Sequence, residues 1–326
     1  MRRFDSISKL LRGCALLALL AAPAVLEAAA TPRELLATGR ADEAIRVLRP
    51  MAAGNNAEAY NLLGRVYYQL GNWNDAVRNC ERAAQLNPQS AEYQIWLARA
   101  YGEKANAAGA LSAFGLARKS VAAFEAAHRL DPRNLAIARD LGEYYVSAPA
   151  IVGGGLDKAS SLAQEMTPVS PALASWIYAM AASKQGNQAE AERRYEEAVR
   201  YDHESAETLL NLARYYRGRK QPERFDDAVR RALQSRHLRP EDRFDAAEQM
   251  LRMGRNLPEA AQQVRLYLQS GHPSEDAPVF RAHTVLGDLL SKSGDTNGAA
   301  NEYRAALALA SGFRPAAEGL RRLEKH

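Results

Sequence analysis

The chain has 326 residues, with 43 Lys and Arg against 38 Asp and Glu and only two cysteines. Without residues 1–30 the charge counts fall to 39 and 36, a net charge of +3, so no clustered basic excess supports nucleic-acid binding. Cys14 belongs to those thirty residues and Cys80 remains alone, which excludes a disulfide within the rest of the chain.

The first thirty residues read as an address. Arg2, Arg3, Lys9 and Arg12 form a basic start, Cys14 to Leu26 is an apolar run of 13 residues, and Glu27 leads to Ala28-Ala29-Ala30. Small residues at alternate positions are what a signal peptidase needs, so a signal peptide over 1–30, cleaved after Ala30, is expected. The run is too short for a membrane span, which takes about 20 residues. A leader retained uncleaved would be the chain's membrane contact. Cys14 is wrongly placed for a lipid-carrying cysteine, and Arg2-Arg3 is followed by Phe4-Asp5, a poor twin-arginine match. Export to the periplasm or cell envelope is the expectation.

From Thr31 the pattern is helical. Residues 31–56 carry Ala44, Leu48 and Met51 at the spacing of the second helix of a truncated unit. Residues 57–90 follow the clearest pattern, AEAYNLLGRVYYQLGNWNDAVRNCERAAQLN and then Pro88. Tyr60, Leu63 and Tyr67 lie on one helical stripe. Gly64 and Ala76 are small enough to let a second helix approach, Gly71-Asn72 makes the turn, and Pro88 stops the second helix. Ala83 leaves room for the next unit. Cys80 falls where a small core residue packs.

This spacing resembles the tetratricopeptide repeat, whose period is about 34 residues. The pattern returns in 91–134 (Leu97, Ala98, Tyr101, Phe124, Ala127, Pro132) and 135–171 (Leu141, Gly142, Tyr145, Ala159, Pro171). It continues in 172–205 (Tyr178, Ala179, Gly186, Ala191, Tyr195, Ala198) and 206–240 (Leu209, Leu212, Ala213, Tyr216, Ala232), the latter with Phe225 where a small residue is usual. It is least regular in 241–275 (Phe244, Ala247, Leu251, Ala260) and regular again in 280–313 (Leu286, Gly287, Gly294, Ala299, Tyr303, Ala306). Residues 314–326 read as a polar capping helix, which such arrays need because each unit buries its face only against neighbours. The resemblance implies an all-α fold, a right-handed superhelical solenoid of helix-turn-helix repeats over 57–313.

Two segments depart from the repeat. GEKANAAGALSAFGLARKS, between Tyr101 and Ser120, adds about ten residues to one unit and predicts a lengthened helical hairpin projecting from one rim, with Gly109 and Gly115 as punctuation. Its Leu111, Phe114 and Leu116 are expected to pack on the groove rather than to contact a partner. SAPAIVGGGLDKAS, from Ser147 to Ser160, adds about five residues. A glycine run before a helix can cradle an anion, but Asp157 would oppose one there and suits capping, and no Gly-Lys-Ser/Thr follows. The bland reading is a flexible connection. The extended repeat together with the Gly-rich APAIVGGG loop also resembles a subset of exported bacterial repeat proteins.

A search for chemistry finds little. The six histidines (His128, His203, His237, His272, His283, His326) never share an i, i+4 face, and no HExxH, GxSxG or GxGxxG occurs. The expectation is no enzyme, no cofactor and no metal. In repeats of this family the first helix of each pair lines the concave face, chiefly through positions 2, 5, 9 and 12. The resemblance thus selects Asn61, Arg65, Tyr68, Ile95, Arg99, Arg139, Glu143, Trp176, Met180, Leu210, Arg214 and Arg217 as the partner-binding groove. Arginine forks suit carboxylates and phosphates, and Tyr and Trp supply anchors. Some cytosolic members hold a partner's C-terminal carboxylate with Asn and basic residues at positions 5 and 9; Asn61 and Arg65 fit once, but Ile95 and Arg99 break the clamp. The expected function is a non-catalytic scaffold that binds an extended peptide or partner protein in the concave groove. The alternative is a small anionic-ligand sensor or enzyme accessory built on the long hairpin and the glycine loop.

Overall fold

The computed structural model describes residues 30–324, so the expected leader, apart from Ala30, lies outside the described residues. Within this range 17 α-helices and a short 3-10 turn account for the regular structure, and there is no strand. The helices come in pairs. The first two are α1 (Pro32–Ala37) with α2 (Ala41–Ala53) and α3 (Ala57–Gln69) with α4 (Trp73–Leu86). Next are α5 (Ala91–Asn106) with α6 (Ala110–Leu130), α7 (Leu135–Ser147) with α8 (Leu156–Met166), and α9 (Pro171–Lys184) with α10 (Gln188–Tyr201). The last are α11 (Ala206–Gly218) with α12 (Pro222–Leu233), α13 (Pro240–Met253) with α14 (Leu257–Gln269), and α15 (Val279–Lys292) with α16 (Thr296–Leu309). α17 (Arg314–Leu323) closes the array against α15 and α16.

Local chemistry starts these helices. Asn56, Ser90, Asn134, Ser170, Asn187, Ser205 and Asp295 each accept a backbone N–H of the first turn on their side chain, satisfying a donor the helix cannot use. Thr31 does so with Glu34 returning the bond, a capping box. Within a pair, the eighth position sits under the twenty-fourth. A Cβ on Gly64 would lie 2.3 Å from Cys80 Sγ, and one on Gly287 would lie 2.7 Å from the Tyr303 ring. The small residue is therefore required by helix contact, and Cys80 is buried beneath it.

Several expectations are corrected. Pro171 does not stop a helix; it opens α9 in the first turn, where its missing N–H costs nothing. Gly115 lies inside α6, and only Gly109 punctuates the hairpin, as the α6 N-cap. Met51 is exposed, while Ala44 and Leu48 are buried. In α13 Met250 is buried and Leu251 is only partly covered. Phe225 is fully buried despite its size.

The two ends of the array meet. The Ser311 N–H donates to Asp42 Oδ2 at 2.9 Å. Gly39, at φ +68°, lies so close to the start of α15 that a Cβ there would be 2.8 Å from Val279 N. The segment 270–278 turns inward and reaches α3, where Gln69 Nε2 donates to the Glu275 carbonyl at 3.0 Å. Tyr267 pins this segment: its hydroxyl donates to the Ala277 carbonyl and accepts the Ser274 N–H at 3.0 Å. The concave face is thus an enclosed lumen rather than an open trough.

Candidate functional site

The lumen is walled by the first helices of the pairs. One cavity of about 520 Å³ lies between Arg99, Arg139 and Asp140 on one side and Arg214, Arg239 and Asp245 on the other. A second, about 840 Å³, runs from Tyr68, Trp96 and Glu103 to Arg252 and Arg281. A third, about 380 Å³, is lined by Glu143, Trp176, Met180, Tyr195 and Arg214.

The predicted groove arginines reach this lumen, but most are already engaged. Arg65 Nη1 donates to Glu92 Oε1 at 2.5 Å, its Nε donates to Glu275 Oε1 at 2.8 Å, and Nη2 completes a fork on Glu275. Arg99 Nε donates to Asp140 Oδ2 at 2.6 Å. Both guanidiniums sit over Trp96, at 4.9 and 4.6 Å from its centroid. Arg139 pairs with Glu207, and Arg214 Nη2 reaches Asp245 at 3.2 Å. The recurrence of arginine at the ninth position therefore has a structural cause. Arg65, Arg99 and Arg214 each clasp an acid on the first helix of the following pair. The expectation of free arginine forks is corrected for these four residues.

Three more selected residues sit inside the wall. Asn61 is 0% exposed, with Nδ2 3.3 Å from Glu92 Oε1; Leu210 is 1% exposed and Ile95 6%. Neighbouring first helices pack on one another, α3 on α5 and α11 on α13, and this covers part of the fifth-position row. Trp176 is largely buried and meets the lumen by its edge of the third cavity. Tyr68 packs its ring against Trp73 and Trp96 at 5.4 and 5.6 Å, and burial pushes its hydroxyl pKa up to about 12.

What remains available is narrower. Among the described residues Glu143 has no hydrogen-bond or ion-pair partner. Its side chain is exposed to the lumen, and partial desolvation by the surrounding wall, with Asp140 nearby, raises its pKa above the usual carboxylate value. Among the described residues Arg217 has no acidic partner, and its Nη1 is buried without a hydrogen bond. Burial and the nearby Arg252 and Arg214 lower its pKa. Met180 is partly exposed beside Glu143. Sequence reasoning missed Glu207, Asp245 and Arg281. They stand at positions 2, 5 and 2 of their repeats, so the rule that selected the arginines would have found them.

The two departures also resolve. The hairpin of α5 and α6 is lengthened as expected. Leu111 and Phe114 do not pack on the groove; they are 94% and 40% exposed, and Leu116 is half-covered. In the glycine loop the N–H groups of Gly153, Gly154 and Gly155 donate to the carbonyls of Ala150, Pro149 and Tyr145, at 2.9, 3.2 and 2.8 Å. No glycine amide is left to cradle an anion. Asp157 makes no capping bond. A Cβ on Gly154 would lie 2.0 Å from the Ala148 carbonyl oxygen, so close packing explains that glycine. Among the described residues no cluster of His, Cys, Asp and Glu suits a metal ion, and no helix is long and apolar enough to cross a membrane.

Stacked helix pairs with small residues at the pair contact and a first-helix lumen define a helical-repeat solenoid. The family model described as "Tetratricopeptide repeat" matches residues 57–90, and the other helix pairs have the same helix-turn-helix architecture. Among solved structures the chain is similar to yeast Tom70, 14% identical with a TM-score of 0.52 over 93% of this chain and 65% of that one. It is also similar to MamA, 22% identical over 53% of this chain and 95% of that one, and to a repeat protein of Thermus thermophilus, 22% identical over 60% and 100%. The last two have TM-scores of 0.43 and carry no weight, and identities this low show the fold alone. No protein of curated function matches the chain. Solenoids of this class are built with an extended concave surface on which other proteins can be bound.

Proposed function

We propose that this chain is an exported, non-catalytic scaffold that receives an extended segment of a partner protein in the lumen, beside α7, α9 and α11. The observation that carries this reading is Glu143, which among the described residues has no protein partner and lines the cavity that also holds Met180 and Trp176; Arg217, on α11, separately leaves Nη1 buried without a hydrogen bond. A buried guanidinium nitrogen is normally hydrogen-bonded, and the exposed Glu143 carboxylate is free to accept. A peptide backbone supplies both donors and acceptors, and the cavity beside Glu143 is large enough for side chains. The arginine clasps set the shape of the lumen and are not its ligand-binding groups.

The test is site-specific photo-cross-linking in the native cell envelope, with the cross-linker at Met180 and, as a control, at Glu196 on the second helix of the same pair. A partner captured only from Met180, and lost in Glu143→Ala/Arg217→Ala, supports the lumen. Equal capture from both positions overturns it. Export rests on the leader pattern. It is compatible with the fold, because the Thr31 N–H already donates to Glu34 Oε2 at 2.6 Å and a new amino group there would keep that partner. N-terminal sequencing should give Thr31. Recovery of an intact Met1 to Ala30 segment in the membrane fraction would mean a retained anchor.

A further inference from the structure

The hairpin of α5 and α6 carries a surface that the scaffold reading leaves unused. Its tip begins at Gly109, where no side chain caps α6 and no acid lies in the first turn. Leu111 and Phe114 follow three residues apart and therefore share a helix face. Both are exposed. Arg118 continues that face one turn further, with its guanidinium 5.8 Å from the Phe114 ring centroid. Beside this stretch of α6, the 3-10 turn 150–152 is held by Tyr144, whose hydroxyl lies 2.7 Å from the Ala117 carbonyl and 2.8 Å from the Val152 carbonyl and shares its one proton between them. That turn leaves Ile151 72% exposed.

Between Glu103 and Glu125 the tip of this arm carries charge of one sign. From residue 104 to 124 the chain has Lys104, Arg118 and Lys119 and no Asp or Glu. Among the described residues Lys104 and Arg118 form no ion pair, and Lys119 has only a long contact of 3.9 Å to Glu81. Among the described residues, arginines without an ion pair occur elsewhere too, so what marks this stretch is that cations and exposed apolar side chains share it with no acid between residues 104 and 124.

We propose that the hairpin tip is a reversible docking element for an anionic lipid surface. Leu111 and Phe114 enter the boundary of the acyl chains, and Lys104, Arg118 and Lys119 lie at the level of the phosphates. The dimensions agree. Seven residues of helix separate Leu111 from Arg118, about 10 Å along the axis. Apolar faces of interfacial helices enter the headgroup boundary by about 5–10 Å. Long basic side chains can also reach outward to the headgroups while their stems lie along apolar surface. The patch is small for a stable protein interface, which takes about 800 Å² per partner. Two or three apolar side chains with three cations suit weak and reversible adsorption instead.

The test is co-sedimentation of the isolated full chain with vesicles of pure phosphatidylcholine and of phosphatidylcholine with one third phosphatidylglycerol. Wild type and variants are compared in the same leader state. Wild type should bind the anionic vesicles at least tenfold more tightly than the neutral ones. Leu111→Ser/Phe114→Ser should lose at least tenfold. Lys104→Gln/Arg118→Gln/Lys119→Gln should lose most of the preference for anionic vesicles, at about fivefold per cation. These side chains are on the surface, so thermal unfolding should be unchanged and loss of binding will not reflect loss of fold. Binding that is equal on both vesicle types, or unaffected by both sets of changes, overturns the proposal. So does wild type that ignores vesicles while Leu111→Ser/Phe114→Ser loses a cross-linked protein partner, which would make the tip a protein contact. Cross-linking at Met180 is an independent measurement, so failure here leaves the lumen reading standing, and the reverse.

Discussion

Arg65 joins three parts of the array, and its removal gives the sharpest test of how the lumen is held. Its side chain is 11% exposed and lies between Glu92 of the next repeat (40% exposed) and Glu275 of the inward segment (19% exposed). Arg65→Ala removes the fork and leaves both acids without this partner. Breaking a buried pair from one side costs about 3–5 kcal/mol. Glu92 keeps access to water, so the expected cost is lower, about 2–3 kcal/mol. Glu275→Ala should cost less, about 1 kcal/mol, because Arg65 keeps Glu92 and its place over Trp96. The assay is thermal and denaturant unfolding of the two single variants and the double variant, with the coupling read from the cycle. Small-angle scattering adds a second reading, since loosening the inward segment should enlarge the radius of gyration. A cost for Arg65→Ala within about 0.5 kcal/mol, the range of an ordinary surface change, with no coupling to Glu275, would refute the clasp and with it the closed lumen.

Other outcomes follow from individual contacts. Leu63→Ala should cost about 2–5 kcal/mol, because the side chain is buried between helices; a denaturant midpoint unchanged from wild type would remove Leu63 from the core. Gly64→Ala should destabilise by about 1–3 kcal/mol, because the new Cβ meets Cys80 and forces α4 outward; pairing it with Cys80→Ala should restore part of the loss. The Cys80 thiol, buried and pushed up to about 12 by desolvation, should react with a thiol reagent only as fast as the repeat opens; immediate labelling of the native chain would contradict that burial. Glu143 has a folded pKa raised by desolvation. Its protonated form is favoured on folding, so its stabilising contribution is present below the ordinary carboxylate pKa of about 4.3 and is lost as pH rises through the folded value. Glu143→Gln should therefore raise the melting temperature at pH 7, with the gain fading towards pH 4. A gain that is independent of pH would show that burial of the charge is not its cause.

Much of the fold was legible because the repeat is a local device. The stripe of Tyr60, Leu63 and Tyr67, the small Gly64 and Ala76, and the Gly71-Asn72 turn all act within one helix pair. Their spacing states the contact directly. Phe225 and Pro171 show the limit of matching a pattern: the first is large yet fully buried, and the second begins a helix instead of ending one. Both outcomes depend on what the neighbouring repeat presents.

The site was legible only in outline. The register placed Arg65, Arg99, Arg139, Arg214, Glu143 and Arg217 on the inner face, but not their partners. Arg99 finds Asp140 in the next repeat, and Arg65 finds Glu275 across 210 residues of chain. Burial of Asn61, Ile95 and Leu210 depends in the same way on how one first helix lies against another. The sequence by itself determined the helices, their pairing and the inner face, because these follow from spacing within about 34 residues. Tertiary structure alone decided which charges are spent, that the ends meet, and that Leu111 and Phe114 remain in water. Each of these depends on the accumulated rotation between repeats, a quantity that no single repeat encodes.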